Sequence, residues 1–206
     1  MVNLVYHNVA QVPVAKDIKL FWSVNYDGMK NILAASLEKK VKRFVYTSSS
    51  AVFGVPLYNP VKASTTPYPR EAYGKAKLAA EGLCHEYAEK GLSCSIIRPR
   101  TVLGTGRLGI FQILFEWIYQ GRNIPVLGAG DNIYQFVHAD DLADACIAAG
   151  EVSIEGTFNI GTDRFGSMRE VLEHLTKYAG TGSQVKSVPA NLAKIGMNIT
   201  SAIGLS

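Results

Sequence analysis

Val41-Lys42-Arg43-Phe44-Val45-Tyr46-Thr47-Ser48-Ser49-Ser50 is an apolar run that ends in a row of hydroxyls, and Glu71-Ala72-Tyr73-Gly74-Lys75-Ala76-Lys77 follows it across a loop holding Pro56, Pro60, Pro67 and Pro69. The first stretch predicts a buried strand and the second the opening of a helix over 71–89. Tyr73 and Lys77 stand four residues apart, a spacing that puts both side chains on one helix face, one turn from each other. Tyrosine titrates near pH ~10 in water. A lysine ammonium close by favours the phenolate, so the pair forms a general acid/base tuned towards neutrality. Hydroxyls at the end of a strand are well placed to bind the same substrate oxygen. A Tyr-x-x-x-Lys spacing alone marks no more than a solvated helix face. Its weight here comes from the order of strand, serines, Val52-Phe53-Gly54, proline loop and helix.

Outward from this core, strands are expected at 2–7, 42–47, 93–98 and 156–160, and helices at 24–39, 71–89 and 140–149. That alternation predicts an α/β fold with a parallel sheet. Met29, Ile32, Leu33 and Leu37 form the buried stripe of the 24–39 helix. Asn25 caps its start, and Asp140 or Asp141 caps the 140–149 helix. Pro99 stops the third strand. Ile124-Pro125-Val126-Leu127 is a further short strand, and Ser183 opens a tail with one more. Ser167-Met168-Arg169-Glu170 is a capping box, followed by a stripe of Met168, Val171, Leu172 and Leu175. Gly104-Thr105-Gly106-Arg107-Leu108-Gly109 spells a dinucleotide fingerprint between a strand and the apolar helix Ile110–Tyr119. We discount it, because Pro99 and further residues separate the strand from the first glycine, where a phosphate cradle needs the turn directly at the strand end.

Composition excludes several classes. A net charge of +4 without any Lys/Arg block argues against nucleic acid as a partner. No apolar run reaches membrane-spanning length, and no basic leader opens the chain. Cys84, Cys94 and Cys146 lack metal spacing and read as reduced core thiols of a cytoplasmic protein; no metal site is expected.

These motifs, with Val24-Asn25-Tyr26-Asp27-Gly28, Ile97-Arg98-Pro99-Arg100 and Phe136-Val137-His138-Ala139-Asp140-Asp141-Leu142-Ala143, resemble the extended short-chain dehydrogenases/reductases of the NAD-dependent epimerase/dehydratase type. The resemblance runs to about residue 180. It implies a partial Rossmann-like parallel sheet flanked by helices, with a small substrate-binding C-terminal part. Residues 1–100 correspond to the NAD(P)-binding domain without its first βαβ unit. Residues 101–206 form a mixed substrate-binding part, from which 135–160 return to the sheet. Residues 1–40 hold no match to the family's glycine-rich strand-turn-helix, so the chain is expected to open at the family's fourth strand, as an internal piece with a bare strand edge.

The resemblance also implies a chemistry: hydride transfer between NAD or NADP and a sugar carbon bearing a hydroxyl or ketone, as a nucleotide sugar. Ser49, Tyr73 and Lys77 are its implied catalytic residues. His7, Val9, Ala10, Asn25, Thr47, Ser48, Tyr73, Lys77, Pro99, Thr101 and Val102 are its implied cofactor contacts. Ser48 and Ser50 also read as strand-end hydrogen bonders, and His7 as a core histidine. A homodimer is implied for the intact protein, and an inactive chain for residues 1–206 alone. Two departures leave other substrates open. Tyr134 stands where nucleotide-sugar members often carry arginine, and Thr101 where they often carry Asn. A sterol- or flavonoid-type alcohol or ketone is the alternative substrate, with Arg100, Arg107 and Arg122 as cations for an anionic one. A non-catalytic dinucleotide sensor on the same fold commonly lacks the Tyr-Lys pair that this chain keeps.

Overall fold

Phe44, Val45 and Tyr46 show why the sheet forms. Alternate side chains of a strand face opposite sides, and all three are buried, so this strand is covered on both faces. That is the condition under which parallel strands are stable. A computed structural model describes residues 2–11, 18–106, 111–152 and 154–189. Arg107, the end of the glycine loop, Pro13 and the chain beyond residue 189 lie outside them. The chain divides into two units, residues 1–102 with 137–161, and residues 103–136 with 162–206.

The first unit begins with β1 (Leu4–His7), α1 (Ile18–Trp22), a π-helical turn (Ser23–Asp27) and α2 (Gly28–Glu38). It continues through β2 (Arg43–Thr47), a 3-10 turn (Ser50–Phe53), α3 (Ala72–Glu89) and β3 (Cys94–Pro99), and the chain leaves by β4 (Thr101–Leu103). The second unit holds α4 (Gln112–Tyr119), β5 (Ile124–Leu127) and β6 (Ile133–Tyr134). The chain returns to the first by β7 (Phe136–His138), α5 (Ala139–Glu151) and β8 (Gly156–Ile160). It ends in the second with β9 (Gly166–Ser167), α6 (Met168–Ala179) and β10 (Val185–Val188).

In the first unit the sheet has four parallel strands in the order β1-β2-β3-β8. Phe44, Tyr46 and Ile96 pack with Met29, Leu33, Ala80, Leu83 and Cys84 of α2 and α3. Val45 and Ile97 face the other way, onto Cys146 and Leu142 of α5. Among the described residues β1 is an edge strand, and its Tyr6 is exposed, which is the bare edge expected. An edge of this kind is a template for pairing with another chain. All three cysteines are free and buried. Among the described residues, no helix is long and apolar enough to cross a membrane.

Several local expectations are corrected. Helical structure begins at Ile18 rather than at residue 24, and Asn25 lies buried inside the π-helical turn, capping no helix. His138 rather than either aspartate caps α5: its ring nitrogen accepts from the Asp140 N–H, and both aspartates sit in the first turn, where the helix dipole favours them. β3 does not stop before Pro99 but runs through it, paired with Ile160. The proline has no N–H to lose, and its position closes the strand.

In the second unit β5 pairs in parallel with β10, and β6 antiparallel with β9. The Ser167–Glu170 capping box is formed, and Leu172 packs with Ile118, Ile124, Met168 and Leu175.

Candidate active site at the strand ends

Helix α3 is anchored at the point where its chemistry begins. The Glu71 carboxylate accepts from the backbone N–H groups of Tyr73 (2.8 Å) and Gly74 (2.9 Å), which fixes the first turn and suits the positive end of the helix dipole. Gly74 then allows a close approach. A Cβ there would run into the Ala51 carbonyl oxygen and lie 2.9 Å from Pro69 Cβ. The turn that Ser49 caps, through a hydrogen bond from the Ala51 N–H to its Oγ (3.2 Å), is thereby pressed against the residue next to Tyr73. Ser49 is half-buried rather than turned into the core.

One turn on, Lys77 is only 2% exposed. Its Nζ donates to the Thr47 carbonyl at 2.8 Å, at the end of β2. It lies 4.8 Å from the Tyr46 ring centroid and 5.9 Å from that of Tyr73. The Phe21 ring meets Tyr73 edge-on at 6.0 Å. Burial lowers the Lys77 pKa to about 8, and the Glu81 carboxylate pulls the other way. Burial pushes the Tyr46 hydroxyl far above its usual range, helped by the charges of Cys84, Glu81 and Tyr73. The Tyr46 ring nonetheless lies closer to the lysine than that of Tyr73. The His7 ring stacks 6.0 Å from that of Tyr46, and burial and then Lys77 lower its pKa.

The other expected residues divide. Thr47 Oγ1 donates to Asn8 Oδ1 (2.5 Å), tying the ends of β2 and β1. Asn25 accepts from the Gln11 N–H (3.1 Å) and donates to the Gln11 and Phe21 carbonyls (3.1 and 3.0 Å), clamping the chain that leaves β1. Pro99 is buried at the end of β3, and Thr101 and Val102 are half-buried on β4. Val9 is exposed and Ala10 half-buried, beyond β1. Ser48 points elsewhere: its hydroxyl is buried and donates to Glu81 Oε1 (2.5 Å). Of the candidate cations, Arg122 lies over the Trp117 ring (5.0 Å). Tyr134 packs against the rings of Phe111 and Phe136, at 5.8 and 5.0 Å.

Sequence reasoning passed over Glu81 and Arg98. Glu81, 1% exposed, accepts from Arg98 Nε (2.9 Å) and Nη2 (2.6 Å) as well as from Ser48. Arg98 is itself 7% exposed and lies over Phe53 at 5.0 Å. Removing one partner of a buried pair of this kind costs about 3–5 kcal/mol. The signal available in the sequence was the second repeat of the four-residue spacing, Tyr73, Lys77, Glu81.

The donor set fits a nicotinamide ribose. A buried ammonium and a phenol one turn apart match a vicinal diol, and the strand ends around them supply further polar groups. The separation expected between a strand and the first glycine of the Gly104–Gly109 stretch is corrected: β4 (Thr101–Leu103) runs directly into Gly104, and the loop beyond Gly106 lies outside the described residues.

The sequence profile of the NAD dependent epimerase/dehydratase family matches residues 1–161. The chain is 54% identical over 206 residues to the uncharacterized protein y4nG of Sinorhizobium fredii (strain NBRC 101917 / NGR234), covering all of this chain and 52% of that protein. It is 28% identical over 204 residues to the UDP-glucose 4-epimerase of Mycolicibacterium smegmatis, covering 94% of this chain and 65% of the epimerase. The structure of UDP-glucuronic acid 4-epimerase from Bacillus cereus in complex with NAD is similar with a TM-score of 0.82 at 26% identity, covering 91% of this chain and 63% of that one. The chain thus spans between half and two thirds of the length of these proteins.

Proposed function

The chain belongs to the NAD dependent epimerase/dehydratase family, and from that membership we propose that its Tyr73–Lys77 pair serves oxidation and reduction at a hydroxyl-bearing carbon of a nucleotide sugar. NAD or NADP is the cofactor of this family, and bound nicotinamide supplies or takes up the hydride. Tyr73 takes the proton of the substrate hydroxyl, and Ser49 donates a hydrogen bond to the same oxygen. Lys77 holds the ribose diol and, by its charge, favours the tyrosinate. The Thr47–Asn8 bond and the Asn25 clamp keep the ends of β2 and β1 in register around it. The observation that carries this reading is the Lys77 ammonium, buried at the end of β2 and bound to the Thr47 carbonyl one turn below Tyr73.

The nucleotide-sugar substrate rests on the relatives, which carry that substrate in their names. A second reading, a ring alcohol or ketone of sterol or flavonoid type, is favoured by one observation. In the second unit Phe111, Leu114, Val126, Tyr134, Met168 and Leu172 line a pocket without a charged side chain among its described residues.

The test uses the longest open reading frame that contains the chain. UDP-sugars are followed by chromatography and hydroxysteroids by reduction of NAD. Interconversion of a UDP-sugar supports the first substrate, and steroid oxidation alone the second. Tyr73→Phe keeps the ring and removes the acid/base; turnover is expected to fall ~10²–10⁴-fold. A folded variant with wild-type turnover would exclude Tyr73 from the role.

A further inference from the structure

Tyr73, Lys77 and Glu81 form one row along α3, each a turn from the next. The third of them does no chemistry in the proposed reaction, yet it is the most enclosed carboxylate of the site. Glu81 is fully buried, with both oxygens occupied: Oε1 by Ser48 Oγ and Arg98 Nε, Oε2 by Arg98 Nη2. Ser48 follows the last residue of β2 and Arg98 lies near the end of β3. The carboxylate therefore fastens the helix to the two strand ends whose neighbouring groups, Thr47 and Pro99, border the site.

A buried ion pair is by itself weak evidence for stability, because desolvation offsets most of its attraction. Its location is more informative. The groups that face Lys77 are His7 from β1, Tyr46 from β2 and Tyr73 from α3. Arg98 from β3 is paired with Glu81, and the α1 segment presents Phe21, without charge, to Tyr73. Glu81, one turn on along the same helix face, acts on Lys77 in the direction opposite to burial. Arg98 and Ser48 hold the carboxylate, while the Lys77 ammonium is bound to the Thr47 carbonyl.

We propose that Glu81, aligned by Arg98 and Ser48, is a positioning residue of the Tyr73–Lys77 pair, whose negative charge holds the Lys77 ammonium charged and seated at the end of β2. This rests on the reading of Tyr73 and Lys77 as the proton-transfer pair, and its test needs no turnover. Glu81 acts through Lys77 and touches neither substrate nor cofactor.

The experiment follows the 13Cε resonance of Lys77 against pH in the full chain labelled with 13C-lysine, assigned by its loss in Lys77→Met. Glu81→Gln removes the anion and leaves Arg98 as an unopposed cation; the Lys77 midpoint is expected to fall by about one unit or more. Arg98→Met leaves the anion unopposed, and the midpoint is expected to rise. A structural staple would give both variants the same direction of shift, or none. Should either single variant fail to fold, Glu81→Gln/Arg98→Met removes both members of the ion pair together, and its Lys77 midpoint is expected below that of the wild type. A folded double variant with the wild-type midpoint would overturn the proposal, as would opposite shifts of the wrong sign in the single ones. A downward shift in Glu81→Gln together with wild-type turnover in Tyr73→Phe would instead remove the proton-transfer reading and keep the Glu81–Lys77 coupling.

Discussion

Lys77→Met isolates the cost of keeping an amine at this site, and the cost has a definite pH dependence. In the unfolded chain the ammonium titrates at its ordinary 10.5; in the fold burial brings it to about 8. Above both values the amine is neutral in either state and burial carries no penalty. Below both it is charged in either state, and the folded state bears the full desolvation. Between them the unfolded chain binds more protons, so stability rises with pH. At about 1.4 kcal/mol per unit the gap corresponds to about 3 kcal/mol, of which about 2 to 3 falls between pH 7 and pH 10. Methionine has similar length, carries no charge and titrates nowhere. The stability of the wild type relative to Lys77→Met is therefore expected to climb by that amount across the interval. His7 titrates below this window, Tyr46 and the buried thiols are present in both proteins, and a Tyr73 phenolate favoured by Lys77 adds to the climb in the same direction. Urea unfolding followed at Trp22, in a Trp117→Phe background, reports the first unit. Parallel pH profiles for the two proteins, or a difference that shrinks as pH rises, would refute the claim that Lys77 is held in a desolvated site.

Gly74→Ala puts a methyl group against the Ala51 carbonyl and Pro69. A loss of about 1–3 kcal/mol is expected, together with displaced amide resonances at Ser49–Ala51; an unchanged melting temperature and spectrum would show that the turn does not press on the helix. For residues 1–206 alone, calorimetric titration with NAD is expected to give no micromolar isotherm, because the contacts proposed for Lys77 and the strand ends around it would meet only the nicotinamide-ribose half of such a ligand. A micromolar Kd would send attention back to the glycine loop at Gly104–Gly109.

Residues 71–89 and the strands were legible because their signals are local. The run Phe44-Val45-Tyr46 is apolar on both faces, and the four-residue interval of Tyr73 and Lys77 places them together on any helix, whatever surrounds it. The capping box Ser167–Glu170 is equally self-contained, and it formed as read. Asn25 misled the reading because a cap and a buried clamp use the same side-chain groups. Only the return of Gln11 alongside the π-helical turn supplies the partners that distinguish them. The same holds for His138, which takes the capping position that the sequence offered to two aspartates.

By itself the sequence determined the parallel α/β arrangement and the pair Tyr73–Lys77, since periodicity and spacing survive in one dimension. The tertiary structure decided which tyrosine near Lys77 is desolvated and what balances the buried charges. Tyr46 lies nearer to the ammonium, but the packing of α2 and α3 over β2 desolvates it. Ser48 and Ser49 are adjacent in sequence, yet one hydroxyl is locked onto Glu81 and the other caps the turn against Gly74, because successive residues at a strand end leave it in opposite directions. Arg98 reaches Glu81 across 17 residues of sequence only because β3 lies beside β2 in one register, with Thr47 opposite Ile97. A shift of one residue in that register would turn Arg98 to the other face of the sheet and leave Glu81 a buried, unpaired anion.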